Sequence, residues 1–164
     1  MKTVRLCLAA LFAVTLLGQT PPRDVDGWGK IRWGMTLADA GQAYVIDRHE
    51  DNDRWSQLIV QPVLVGDITM RVSIAARHGS EQVSRVRLST NSGAEDFDTL
   101  KAQLIQKYGP PIDGEARTEG TNSIRTFLWT FPSTSIRLTL TQGNNQGRIE
   151  VEYNAIDKTA LDAL

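Results

Sequence analysis

Alternating apolar and polar residues run through much of the chain and predict β-strands. In residues 67–76 apolar side chains occupy alternate positions, and residues 82–90 continue the pattern with Val86 and Leu88. A period of two places one face of a strand against a core and the other in water. The predicted strands cover residues 55–64, 67–76, 82–90, 123–131, 135–142 and 147–154. The short turns between neighbouring strands indicate antiparallel hairpins.

Two segments have the spacing of amphipathic helices. The clearer one covers residues 94–108, where apolar residues recur every three or four positions and acidic residues crowd the start. Gly109 and the two prolines that follow it end this helix. The weaker one covers residues 36–46, where Thr36 can cap the start and Asp39 lies in the first turn.

The order of these elements is helix, three strands, helix, three strands. It predicts an α+β fold with two helix-plus-three-strand halves, which form an antiparallel sheet with the helices packed on one face. We expect a single α+β domain at residues 31–155, between a linker or irregular lead-in at 19–30 and a C-terminal tail at 156–164. The polar residues 47–54 and 112–122 are expected to be loops.

The start of the chain has the features of an export signal. Lys2 and Arg5 precede a mostly apolar run that ends at Gly18, which predicts a signal peptide at residues 1–18. The run is shorter than the roughly 20 residues that span a bilayer, so no transmembrane segment is expected after signal removal. Cys7 lies inside the run rather than at its end, and we recognise no lipidation cysteine. The expected location is periplasmic or secreted.

Charge and cysteine content narrow the possible partners. The chain has 18 basic and 19 acidic residues and one cysteine. Removing the signal peptide removes two basic residues, no acidic ones and that cysteine, which leaves 16 against 19. A mildly acidic domain has no broad basic field for a phosphate backbone, so nucleic acid is not an expected partner. Without cysteine the exported domain has neither a disulfide nor a reactive thiol.

Two motifs resemble those of known exported proteins. Residues 33–40 resemble the Gly-Met-Thr/Ser helix start of small exported bacterial α/β proteins, such as the SmpA/OmlA-type outer-membrane assembly lipoproteins and the β-lactamase-inhibitor-protein-like group. Residues 97–101, Leu104 and residues 107–110 are similar to the second helix of such proteins. The resemblance implies a non-enzymatic envelope protein that binds another protein with a sheet face or loops. The mature chain lacks the anchoring cysteine and the disulfides of these groups.

The usual signs of catalysis are missing from the sequence. The mature chain has no cysteine nucleophile, serine-hydrolase elbow, zinc-protease motif or phosphate-binding glycine loop. His78 stands near Ser80 in a predicted turn, where neighbouring side chains diverge, so we interpret this segment as a turn rather than a hydrolytic site. We therefore predict no enzyme activity and no cofactor. Paired carboxylates have no spacing signature, and a carboxylate-based hydrolytic enzyme stays open as an alternative.

An acidic segment is a weak candidate for a metal site. Its side chains are Asp47, His49, Glu50, Asp51 and Asp53. This density of oxygen ligands suits a hard cation such as calcium, but the segment lacks the glycine and glutamate positions of an EF-hand loop. A solvated loop is the simpler interpretation.

Two groups of residues are candidates for partner binding. The first is the row Arg125, Phe127, Trp129 and Phe131. Since Ile124 and Leu128 make the other side of this strand apolar as well, the row belongs either to the core or to a binding surface. The second group is Arg71, Arg85, Arg87 and Arg137. These project from the wet faces of strands, either as a scattered solvated face or, if the strands align, as a local basic patch.

The function expected from these observations is binding. The export signal and the missing catalytic motifs favour an exported, non-enzymatic protein that binds a protein or a cell-envelope component. The alternatives are the carboxylate-based enzyme and a small-ligand carrier.

Overall fold

The computed structural model describes residues 24–143 and 146–157. The predicted signal peptide at 1–18, the start of the lead-in and residues 158–164 of the predicted tail lie outside the described residues. The helices are α1 (Leu37–Ala43) and α2 (Ala94–Tyr108). The strands are β1 (Gly27–Trp28), β2 (Ile31–Arg32), β3 (Ile46–Asp51), β4 (Trp55–Val65), β5 (Ile68–Arg77), β6 (Val83–Thr90), β7 (Asp113–Glu119), β8 (Asn122–Thr130), β9 (Thr134–Gly143) and β10 (Gln146–Ala155).

Strands β3 to β10 form one antiparallel sheet in the order β3-β4-β5-β6-β10-β9-β8-β7. The chain meanders from β3 to β6, passes through α2, and meanders again from β7 to β10. The last strands of the two meanders, β6 and β10, pair with each other at the centre of the sheet. The expectation of an α+β fold with an antiparallel sheet is confirmed at this level.

The prediction of three strands in each half is wrong, because each half has four. The expected loops at 47–54 and 112–122 contain most of β3 and the whole of β7. These two strands form the edges of the sheet and have one neighbour each. Every residue of β7 is exposed, and both strands are rich in charged residues. Charged edge strands need no apolar face and resist pairing with other chains, so the apolar alternation that marks inner strands is missing.

The core lies against one face of the sheet. Val72, Leu88, Val151 and Leu138 form a row of paired positions across β5, β6, β10 and β9, and all four are buried. The buried side chains of both helices belong to the same hydrophobic cluster as this row. They are Ala40 of α1 and Phe97, Leu100 and Leu104 of α2.

The helix ends follow ordinary capping chemistry. The Thr36 hydroxyl accepts a hydrogen bond from the Asp39 N–H at 3.1 Å, as the sequence predicts for the start of α1. This helix ends earlier than predicted because Tyr44 is already extended. Helix α2 has the predicted bounds. Gly109 follows it with a φ of 82°, and its carbonyl accepts a hydrogen bond from the indole N–H of Trp129 at 2.8 Å, which ties the helix end to β8.

Residues 24–30, expected as part of an irregular lead-in, are ordered against the domain. Strands β1 and β2 form a small hairpin, and Ile31 is completely buried. Trp28 stacks on Tyr44 with ring centroids 5.8 Å apart. The carboxylate of Asp24 accepts hydrogen bonds from the backbone and hydroxyl of Ser133. The contacts between Asp24 and Ser133 join residues 109 positions apart, so no local pattern could reveal them.

The burial of α2 gives a stability prediction. Leu100 is 2% exposed within the core, whereas Ile105 on the same helix is 37% exposed. We expect Leu100→Ala to lower the free energy of unfolding by about 2–5 kcal/mol, because it removes buried methyl groups and leaves a cavity. The matched control Ile105→Ala should cost less than about 1 kcal/mol. Urea denaturation measures both values, and equal losses would contradict this account of the core.

Candidate functional site

The face of the sheet opposite the core is the candidate site. We call it the open face. It is formed by the side chains that alternate with the core residues, which include Arg48, Trp55, Arg71, Ala75, Arg85, Arg87, Asp113, Glu115, Arg117, Ile124, Thr126, Leu128, Arg137, Thr139, Thr141, Arg148, Glu150, Glu152 and Asn154. The same period of two that buries one side of each strand therefore assembles this set on the other side.

An ion pair crosses the centre of the open face. Glu152 of β10 is the register partner of Arg87 on β6 and of Arg137 on β9. One oxygen of Glu152 accepts hydrogen bonds from Nε and Nη2 of Arg87 at 3.1 and 2.9 Å. The other oxygen accepts a hydrogen bond from the Asn154 amide at 3.0 Å. Both oxygens of Glu152 therefore accept hydrogen bonds from residues other than Arg137.

These contacts keep Glu152 ionised. Burial by itself would raise the pKa of this carboxyl, but the hydrogen bonds from Asn154 and Arg87 and the charges of Arg87 and Arg85 outweigh it. The net effect holds the pKa of Glu152 below its ordinary value. The pair is thus a fixed structural feature of the face rather than a proton donor near neutral pH.

A stacked arginine and tryptophan lie beside the ion pair. The guanidinium carbon of Arg85 is 3.6 Å from the ring centroid of Trp55, a cation–π contact worth about 0.5–2 kcal/mol. Ala75 is completely buried between Gln57 and Arg85 in the register of β4, β5 and β6. Because the side chain of Ala75 is small, Arg85 and Trp55 have room to stack above the sheet. Burial, with the nearby charge of Arg87, lowers the pKa of Arg85.

A groove of about 430 Å³ lies between β7 and β9, with β8 as its floor. It is lined by Asp113, Gly114, Glu115, Arg117, Ile124, Thr126, Leu128, Arg137, Thr139 and Thr141. The floor is partly apolar because Ile124 and Leu128 face this side of β8. Arg137 and Thr139 line one wall, and β7 forms the other.

The four predicted surface arginines share the open face but do not form a continuous basic patch. Arg71 and Arg137 are exposed, whereas Arg85 and Arg87 are half-buried. Glu152 stands between Arg87 and Arg137 in the paired register, so positive and negative charges alternate across the centre. The wet faces of these strands thus lie on one side of the sheet, but the surface that they form is mixed in charge.

The aromatic row predicted as core or binding surface lies on the core side. Trp129 and Phe131 are 1% and 6% exposed. The half-buried Phe127 packs against Phe97 of α2, with ring centroids 6.0 Å apart. Arg125 lies over the Phe97 ring at 4.6 Å and forms an ion pair at 3.6 Å with a carboxylate of α2. This placement favours the core interpretation for the row.

Of the residues that line the groove, sequence reasoning assigned Arg137 alone to a candidate site. Ile124 and Leu128 carried a visible signal, because they made a strand apolar on both sides. Thr126, Thr139 and Asp113 carried none, since each belongs to the groove only through the pairing of β7, β8 and β9.

The residues of the weak metal candidate are divided between the two faces of an edge strand. These residues lie on and just after β3 rather than in a loop, and alternation places His49 and Asp51 opposite to Glu50. Arg48 binds Asp47 at 2.8 Å and Glu50 at 2.7 Å. Throughout the part of the chain that the structure describes, no group of three or more His, Cys, Asp or Glu side chains is arranged to hold a metal ion.

A comparison with protein-family models, curated proteins and solved structures finds no significant match for the chain. Among the described residues, neither helix has the length and apolar character needed to cross a bilayer. The open face is the feature from which a function can be inferred.

The central ion pair gives a pH prediction. Because the pKa of Glu152 is lowered in the folded protein, the stabilisation is present above the ordinary glutamate pKa and is lost as pH falls through the lower, folded value. We expect Glu152→Gln to cost about 1–3 kcal/mol of unfolding free energy near neutral pH, since it breaks hydrogen bonds to a charged partner. The difference from the wild type should shrink at an acidic pH below the lowered pKa of Glu152, where the carboxyl is protonated in the folded protein as well.

Urea denaturation of both proteins at the two pH values measures this difference. Glu81→Gln, at an exposed position with no ion pair in residues 24–143 and 146–157, is the matched control and should show little effect at either pH. A difference for Glu152→Gln that stays constant between the two pH values would contradict the lowered pKa.

Proposed function

We propose that the protein is exported, is not an enzyme, and binds a protein or a cell-envelope component through the open face. The observation that carries this proposal is the organisation of that face: fixed polar and aromatic side chains surround a groove on the side of the sheet away from the core. A solvated surface without a partner needs no such order.

The fixed contacts suit recognition. Arginine and tryptophan are enriched among the residues that contribute most to protein interfaces. Here Arg85 is stacked on Trp55, and Arg87 is held by Glu152, before any partner arrives. Side chains that are already ordered lose less conformational entropy on binding. The arrangement therefore lowers the cost of forming an interface.

The proposed scaffold assigns the two faces different tasks. In this proposal both helices pack on the core side, so that each half supplies one covered face and one face for a partner. The contacts that support it are those of Ala40 in α1 and Phe97 in α2 with the shared hydrophobic cluster. A rigid sheet held in this way keeps the open face in one shape.

The export expected for residues 1–18 would place this face in the periplasm or outside the cell. The resemblance of residues 33–40 to exported bacterial envelope proteins supports the same location and the same mode of action. These two arguments, the export signal and the resemblance, rest on the sequence of the chain rather than on its fold.

The rival carboxylate-based enzyme has less support from the open face. A general acid needs a raised pKa near the working pH, whereas the pKa of Glu152 is lowered. Glu50, Glu115, Glu119 and Glu150 each form an ion pair with an arginine. These ion pairs occupy the carboxylates with arginine partners of the protein itself, which favours binding over acid–base chemistry.

Site-specific cross-linking tests the proposal. A photoreactive benzoylphenylalanine replaces Arg71 or Thr139 on the open face, or the exposed Gln106 on α2 as the matched control, in the full chain expressed in its source cells. We expect discrete cross-linked products from the two open-face positions and none from Gln106. Products of equal yield from all three positions, or none from the open face, would contradict it.

A further inference from the structure

We propose that Arg137 in the groove binds a carboxylate side chain in an extended acidic segment of a protein partner. This inference rests on the proposed function and names the chemistry that the open face recognises. It follows from the charges around the groove and from the register of β10, β9, β8 and β7.

Most arginines of the open face already have a carboxylate. Arg48, Arg87, Arg117 and Arg148 each form an ion pair with an acidic residue of the same face or strand. Arg71, Arg85 and Arg137 form none within residues 24–143 and 146–157, and Arg85 is stacked on Trp55 instead. Of these three arginines, Arg137 lines the groove.

The carboxylate directly across the sheet from Arg137 forms its hydrogen bonds with other residues. Glu152 is the direct register partner of Arg137, and cross-strand neighbours of opposite charge usually pair. Arg87 and Asn154 occupy both oxygens of Glu152 instead. The guanidinium of Arg137 therefore keeps its capacity for a two-bond contact with an external carboxylate.

The groove offers further contacts beside this cation. Thr139 and Thr141 follow Arg137 along β9 on the same face, and the Thr139 and Thr126 hydroxyl oxygens are 3.5 Å apart. Hydroxyl groups can donate to or accept from the backbone of a bound segment. Leu128, the register partner of Arg137 on β8, supplies an apolar surface for the methylene groups of an acidic side chain.

The opposite wall restricts where negative charge is tolerated. Asp113 pairs with Leu128 in the register, which places it two strands from Arg137, at a distance of about 10 Å. Glu115 on the same wall is bound by Arg117 at 3.2 Å, and Asp113 accepts a hydrogen bond from the Gly114 N–H at 2.8 Å. Within the described part of the chain Asp113 forms no ion pair, and its carboxylate repels an anion. A bound partner therefore places its acidic side chain at the β9 wall and neutral or basic groups at β7.

Exposure of Arg137 favours a protein segment over a free anion. An ion pair on an exposed surface contributes only about 0–1 kcal/mol, because water and salt screen it. A small carboxylate would therefore bind weakly. An extended segment adds backbone contacts with the threonines and covers Leu128, and these additional contacts exclude water from the charged pair.

Peptide binding tests the inference. The probe is a dye-labelled peptide of alternating glutamate and threonine, blocked at both ends, and fluorescence anisotropy at low salt reports its dissociation constant. We expect Arg137→Ala to weaken binding by about tenfold or more, the loss of a charge-assisted contact. Arg71→Ala is the matched control, since Arg71 is also an exposed arginine of the open face but lies outside the groove, and it should change the constant less than about twofold.

A third variant tests the geometry. Arg137→Lys keeps the charge but loses the planar fork, so it should recover only part of the affinity lost in Arg137→Ala. Circular dichroism and urea denaturation verify that each variant is folded. Because Arg137 is exposed, we expect its variants to unfold within about 0.5 kcal/mol of the wild type.

Several results would overturn the inference. Equal losses in Arg137→Ala and Arg71→Ala would mean diffuse attraction by the whole face. Equal binding of a lysine–threonine peptide would mean that charge is not recognised, and displacement of the peptide by an equal concentration of acetate would mean a small-anion site. If the peptide fails to bind while open-face cross-links persist, the proposed function stands and only the acidic partner is wrong.

Discussion

The pairing of β6 with β10 is the constraint on which the rest of the structure depends. These strands come from different halves of the chain and join two four-stranded meanders into one sheet. On one side of the seam Leu88 meets Val151 in the core, and on the other Arg87 meets Glu152. A shift of the register by one residue would move each apolar side chain to the wrong face. The core and the open face are therefore set by the same hydrogen-bonded ladder.

The seam also explains how charge is distributed on the open face. Because Arg87 and Asn154 form the hydrogen bonds of Glu152, Arg137 on β9 has no ion pair at the centre of the described face and lines the groove instead. The centre of the face is internally compensated, whereas its flanks carry Arg71 and Arg137. A surface of this kind combines a rigid middle with charged positions that can select a partner.

Much of the fold could be predicted from the sequence where local patterns are strong. The predicted helix at 94–108 is confirmed. Its apolar stripe, acidic start and glycine end are local signals that all indicate the same element. The six inner strands follow from alternation, but β3 and β7 were missed, since an exposed edge strand has no apolar face to reveal it. The groove was out of reach for another reason: it exists only when β7, β8 and β9 are placed side by side, and no spacing along the chain encodes that.

The central position of the seam has a consequence for how the chain can misassemble. If the two halves separate, β6 and β10 each become a bare strand edge in the middle of an apolar surface, unlike the charged outer edges. Each bare strand can pair with the complementary strand of a second molecule, which is the geometry of domain swapping. Fragments cut in the segment between β6 and α2 should for the same reason recombine into one sheet. The pairing of β6 with β10, which joins the two halves of the chain, is thus also the place where two copies could exchange a half.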